Sequence, residues 1–197
     1  MRKTFSLMGS PRKNKNTDFL LKSFLTGIKE NGYQTTKIDL IDKKVSPCTG
    51  CGYCQEKGEC IIDDDMLEIY NQFESNDIII ISSPLYFNTV NGMIKNVIDR
   101  CQKYWSQKYV LRDLHINKKE KIGIFLSVGG AEFSHSQFET CIPTIDLFFK
   151  AIGAKYKGNY FVSGTDRRPI WDRNEILEEV HDIGKNIDDI ENFYLHR

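Results

Sequence analysis

The chain has 197 residues, enough for one α/β domain with its own core, and its 27 Lys and Arg balance its 27 Asp and Glu. That balance gives no global field favouring nucleic acid or an anionic membrane, and no apolar stretch reaches the length of a membrane span or has the form of a signal peptide. The expectation is a cytosolic protein acting on a small ligand, in which six cysteines call for a metal or redox explanation rather than structural disulfides.

Phe5, Leu7 and Met8 suit a buried first strand, and Gly9 permits a sharp turn after it. Ser10, Arg12, Asn14, Asn16 and Thr17 then offer hydroxyl, guanidinium and amide donors. A helix is expected from Thr17, with Thr17 capping it and the free N–H groups of its first turn pointing at an anion in the loop. Taken alone, the loop also fits a solvated polar turn. Leu20, Leu21, Phe24, Leu25 and Ile28 recur at helical spacing until Asn31-Gly32 stops them. Tyr33 to Leu40 reads as a second strand, after which the pattern collapses at Ser46-Pro47 into a cysteine-rich loop over residues 48–60. Asp63 is the expected cap of the next helix, which turns Met66, Ile69, Tyr70 and Phe73 to one face; the acidic run 63–65 reads as a helix start, not a metal site.

The run from Ile78 to Ile81, cut off at Pro84, has the composition of a central parallel strand covered on both faces. A helix capped near Asn91 follows, with Ile94, Val97, Ile98 and Cys101 in its stripe, and residues 105–119 show no period. Lys121 to Ser127 is a fourth strand ending at Gly129-Gly130, residues 136–151 read as a helix with Pro143 at its first turn or a kink, and Tyr156 to Val162 is a fifth strand. Ile176, Val180, Ile183, Ile187 and Ile190 mark a closing helix. Such alternation predicts a single doubly wound domain over 1–197 with ligands beyond the carboxyl ends of its parallel strands. The loops after strands one, three and four would converge there.

Neither G-x-x-x-x-G-K-[ST] nor G-x-G-x-x-G is present, which argues against a nucleoside triphosphate or a dinucleotide pyrophosphate in the first loop. Side-chain hydroxyls and amides with backbone N–H groups suit a terminal phosphate monoester such as that of FMN. Pro84, Leu85, Tyr86, Phe87 and Asn88 place apolar and aromatic groups where a flat ring could stack, and Gly129 and Gly130 let a third backbone approach it; core packing and an ordinary turn are the plainer readings of each alone.

Gly9-Ser10-Pro11-Arg12 with Asn16-Thr17, then Ser83-Pro84-Leu85-Tyr86-Phe87 with Gly92, Lys95 and Asp99-Arg100, resembles the NADPH-dependent FMN reductase and iron-sulfur flavoprotein superfamily. The resemblance implies a flavodoxin-like α/β three-layer sandwich with a five-stranded parallel sheet in the order 2-1-3-4-5. It places FMN phosphate on Ser10, Arg12, Asn14, Asn16 and Thr17, and the flavin ring on Pro84, Leu85, Tyr86, Phe87, Asn88, Gly129 and Gly130. It further implies NAD(P)H as co-substrate and a homodimer or homotetramer. Lys15 departs from the family, which often has glycine there.

Cys48, Cys51, Cys54 and Cys60 form C-x2-C-x2-C-x5-C, with Gly50, Gly52 and Gly58 permitting a tight backbone around one inorganic core. The spacing resembles the compact [4Fe-4S] motif of iron-sulfur flavoproteins at all four positions. Free thiols at a subunit interface remain open, as do zinc or disulfides at lower rank, since zinc usually takes two separated C-x2-C pairs. Cys101 and Cys141 read as core residues, and His115, His135, His181 and His196 show no ligand spacing. The leading expectation is an FMN-dependent oxidoreductase moving electrons from NAD(P)H to an acceptor. The alternatives are a ferredoxin-linked electron carrier and a zinc-stabilised binding module. No side-chain general base is required, because the flavin carries the chemistry.

Overall fold

Nine-residue and shorter apolar runs, separated by helical periods, fold into a sheet with helices on both faces. The computed structural model describes residues 2–113, 120–134 and 136–197. In chain order the elements are β1 (Lys3–Met8), α1 (Asn16–Glu30), β2 (Gln34–Asp39), α2 (Tyr53–Lys57), α3 (Met66–Ser75), β3 (Ile78–Tyr86), β4 (Thr89–Val90) and α4 (Gly92–Arg100). They continue with α5 (Gln102–Trp105), β5 (Lys121–Val128), α6 (Ile142–Ala151), β6 (Ala154–Val162), α7 (Asn174–Lys185) and β7 (Phe193–His196). The strand order is β2-β1-β3-β5-β6-β7 and every neighbouring pair on that path is parallel.

The central strand shows why both faces are filled. Ile79 and Ile81 pack with Phe5, Leu7 and Phe125 under the face that receives Phe73 of α3, Ile94 of α4 and Phe149 of α6. Ile78 and Ile80 point the other way and join Ile124 and Leu126 beneath Leu21 and Phe24 of α1 and Val180 of α7. Side chains that alternate along a strand thus serve two separate cores, so the run needs no polar face.

Several boundaries differ from the sequence reading. A sixth parallel strand, β7, extends the expected five at the β6 edge; four residues with exposed Tyr194 carry too little apolar signal to be read alone. Consequently α7 stops at Lys185, and Ile187 is buried from a turn beyond the helix. Helix α1 starts one residue early, with Lys15 rather than Thr17 at its cap and no side-chain capping bond. At α3 the cap position falls to Asp65 rather than Asp63, without a side-chain capping bond, and the preceding Asp64 carboxylate accepts from the Met66 amide at 3.0 Å. The expected cap of α4 is present, Asn91 accepting from the Ile94 amide at 3.1 Å. Pro143 sits in the first turn of α6, and residues 106–110 continue α5 as one π-helical turn. His115 and His135 lie outside the described residues; His181 pairs with Glu30 at 3.1 Å on the surface, and His196 abuts the Phe133 ring. Cys101 and Cys141 are buried as expected.

Candidate functional site

The carboxyl ends of β1, β3 and β5 open onto a cleft of about 360 Å³ walled by Ser10, Arg12, Lys15, Asn16, Thr17, Pro84, Leu85, Tyr86, Val128, Gly130, Ala131, Thr165 and Asp166. Its floor is the loop between β1 and α1. Ser10, nearly buried, accepts from the Arg12 amide at 3.1 Å, which curls the loop over the start of α1. The first-turn amides of a 15-residue helix have no intrahelical partner and carry the positive end of its dipole, so an anion there meets N–H donors together with Arg12 and Lys15. Gly9 contributes differently than a turn residue would: a side chain there would overlap Ile94 of α4, so glycine is required for helix α4 to pack against the loop. Asn91 ties the same contact, its amide donating to the Gly9 carbonyl and its backbone N–H donating to Ser83 Oγ at 3.3 Å.

Asn14 does not join the cleft. Its φ is 54°, its amide donates to Asp18 at 2.8 Å and its side-chain oxygen accepts from Lys22 at 2.6 Å. Asp18 is buried beneath the loop and paired with Lys37 at 2.9 Å and Lys22 at 3.0 Å. Burial pushes its carboxyl up, but Lys37, the Asn14 amide and Lys22 outweigh burial and hold it below the ordinary carboxylate value. Asn16 lines the cleft while its oxygen accepts from the Ile170 amide at 2.9 Å, and Lys15 lies over the Trp171 ring at 5.3 Å.

Pro84, Leu85 and Tyr86 supply the apolar wall, and Phe87 and Asn88 do not touch it. β3 continues into a hairpin, Leu85 opposite Val90 and Tyr86 opposite Thr89, whose two turn residues are Phe87 and Asn88 with φ of 50° and 58°. A two-residue loop with positive φ at both centres matches the right-handed twist of its strands, and it carries Phe87 fully into solvent. Thr140 and Cys141 anchor the turn through the Asn88 carbonyl. Of the glycine pair, Gly130 lines the cleft and Gly129 turns away, accepting from Thr165 Oγ1 at 3.0 Å. A Cβ at Gly130 would lie 2.5 Å from Asp166 Oδ2, so a side chain there would push the exposed Asp166 carboxylate aside. Thr165, Asp166, Val128 and Ala131 were not legible as site residues, because they reach the cleft only through the pairing of 164–166 with 129–131.

The four sequence-marked cysteines line a second cavity, also of about 360 Å³, whose remaining wall includes Ile61, Ile62, Asp99 and Arg100. All four are free thiols; Cys48 and Cys51 are exposed, and Cys54 and Cys60 half-buried. Gly50, Gly52 and Gly58 take φ of 65°, 78° and 72°, so the loop winds through left-handed turns that side chains would resist. Among the described residues no three His, Cys, Asp or Glu side chains are gathered closely enough to share a metal ion. The donor set nevertheless fits a thiolate-bound centre: all four cysteines of the motif line one small cavity, and thiolates are the ligands such a centre takes.

Fold and cleft together define a flavodoxin-like α/β domain with a ligand cleft at its strand ends. The family model for NADPH-dependent FMN reductase matches residues 2–164, and the chain belongs to that family. An iron-sulfur flavoprotein of Methanocaldococcus jannaschii is 32% identical over 196 residues, covering 95% of this chain and 96% of that one. Another, from Methanosarcina thermophila, is 35% identical over 129 residues, and there the match spans only 64% of the relative's length. Among solved structures, the NAD(P)H:quinone oxidoreductase from Methanothermobacter marburgensis superposes with a TM-score of 0.73 at 16% identity, covering 94% of this chain and 96% of that one, which supports the fold.

Proposed function

We propose that this enzyme holds FMN in the cleft above β1, β3 and β5 and a [4Fe-4S] cluster in the four-cysteine cavity, and that it takes electrons from NADPH or NADH for delivery to a small molecule or a ferredoxin-like acceptor. The observation that carries the reading is the presence of two cavities, one with an anion seat beside an apolar wall and one walled by all four cysteines of the motif. The family match supports the flavin and the nicotinamide; the names of the relatives support the cluster.

In this reading Ser10, Arg12, Lys15, Asn16, Thr17 and the first amides of α1 hold the phosphate. Pro84, Leu85 and Tyr86 lie against one side of the ring, and the Gly130 and Ala131 backbone meets its edge. Bound FMN supplies both one- and two-electron chemistry. The chain's own work is to orient the ring and to stabilise charge with fixed N–H donors, and no side chain in the cleft is required as a general base. Phe87 is too far into solvent to serve the ring from within this chain, so its carry-over from the family is not adopted. The six free thiols agree with a reducing cytoplasm, and no helix among the described residues is long and apolar enough to cross a membrane. A homodimer or homotetramer is supported by exposed Trp105 and Leu147, which border one groove between α4 and α6.

Anaerobic purification followed by an absorption spectrum and iron and sulfide analysis tests the reading. The expected result is flavin bands with four irons and four sulfides per chain and bleaching of the flavin by NADPH or NADH. Colourless protein with bound zinc would overturn it, and a flavin reduced by ferredoxin but by neither nucleotide would replace the nicotinamide donor.

A further inference from the structure

Both ends of the cysteine loop meet at one buried guanidinium. Arg100, the last residue of α4, has a side chain with no solvent exposure. Its Nη1 donates to the Ser46 carbonyl at 3.1 Å and its Nη2 to the Ile62 carbonyl at 3.1 Å. Ser46 stands just before Cys48 in the chain and Ile62 just after Cys60. The same fork pairs with Asp64 at 2.9 and 3.2 Å, and Asp64 accepts in turn from the amides of Ser46 at 2.8 Å and Met66 at 3.0 Å. One planar cation thereby closes the loop and fixes it to α3 and α4, a geometry that a lysine ammonium cannot reproduce.

The third nitrogen of the guanidinium, Nε, is buried and makes no hydrogen bond, so the fork that grips Asp64 and the two loop ends is what holds Arg100 in place.

We propose that Arg100 is the positioning residue of the cysteine centre: its Nη atoms and Asp64 tie together the two ends of the loop and hold the four cysteines in register around that centre. The proposal rests on the cluster reading above. Burial works against the Arg100 charge, but Asp64, Tyr70 and Cys60 outweigh it and keep the guanidinium above its ordinary pKa. A cation fixed beside the loop favours the more negative, reduced form of a cluster and so raises its potential.

Arg100→Lys and Asp64→Asn are compared with wild type after anaerobic reconstitution with iron and sulfide, with flavin content as the check on folding. For Arg100→Lys we expect unchanged flavin, cluster loss at least about tenfold faster, and a reduction equilibrium about tenfold less favourable, equivalent to about 59 mV for one electron. Amide exchange in 46–62 should rise about tenfold in both variants while that in 78–86 does not. A lysine variant with wild-type potential and wild-type loop exchange would overturn the proposal. If it fails to bind flavin, exchange in Asp64→Asn decides the clamp, and a protected loop there overturns it. Wild-type protein that takes up neither iron nor sulfide overturns the cluster reading, while loop exchange still decides the clamp.

Discussion

The strand-end cleft and the cysteine cavity have similar volumes and opposite construction. The cleft is assembled from the ends of three parallel strands and the start of a long helix, so its shape follows from the sheet itself. The cysteine cavity is made by one loop with three left-handed glycines and a five-residue helix, which has little backbone bonding of its own and depends on the side chains of Asp64, just before α3, and Arg100 of α4. Helix α4 serves both. Asn91 at its start grips the Gly9 carbonyl of the loop between β1 and α1, and Arg100 at its end grips the cysteine loop, about 13 Å away at 1.5 Å per residue. A strand-end site is rigid by inheritance; a loop site needs a dedicated clamp.

Asp64→Ala would break that contrast most severely. It leaves the Arg100 charge buried and unpaired, and a loss of about 3–5 kcal/mol is expected, read from the urea midpoint of the flavin-bound protein. Next in size, Arg12→Ala should weaken FMN binding roughly ten- to hundredfold by removing a charge-assisted contact worth about 1.5–3 kcal/mol. Titration of apoprotein by flavin fluorescence measures this, and Asn14→Ala in the same assay should change affinity by less than about threefold because Asn14 faces Lys22.

Acid should expose both regions in turn. Burial raises the Asp64 carboxyl, but Arg100 and the Ser46 and Met66 amides hold it below 3.8, as Lys37 and its partners do for Asp18. A carboxylate depressed in the folded state stabilises fully above its unfolded value, and that contribution fades as pH falls through 3.8 toward the folded value. Urea midpoints should therefore decline below about pH 4, and less steeply in Asp64→Asn. The smallest effect is expected at the hairpin tip, where Phe87→Gly should stabilise by about 1 kcal/mol, because a bulky residue at φ of 50° is strained and its ring contacts nothing it must keep. Thermal unfolding of the purified variant measures it.

From sequence alone the class was legible: an uninterrupted β-branched Ile78–Ile81 run cut off at Pro84 is the pattern of a strand covered on both sides, and the Ser10–Thr17 loop with Pro84–Tyr86 marks strand ends that meet. The cysteine spacing likewise named its own cavity. These signals are local, carried by period and composition within a few residues. Tertiary structure decided what depends on distant partners. It turned Asn14 and Gly129 away, sent Phe87 to solvent, brought Thr165 and Asp166 in beside Gly130, and added β7 at the sheet edge. It also made Arg100, one charged residue at a helix end, the junction of Ser46, Ile62 and Asp64, because hydrogen bonds across such separations exist only once the chain has folded.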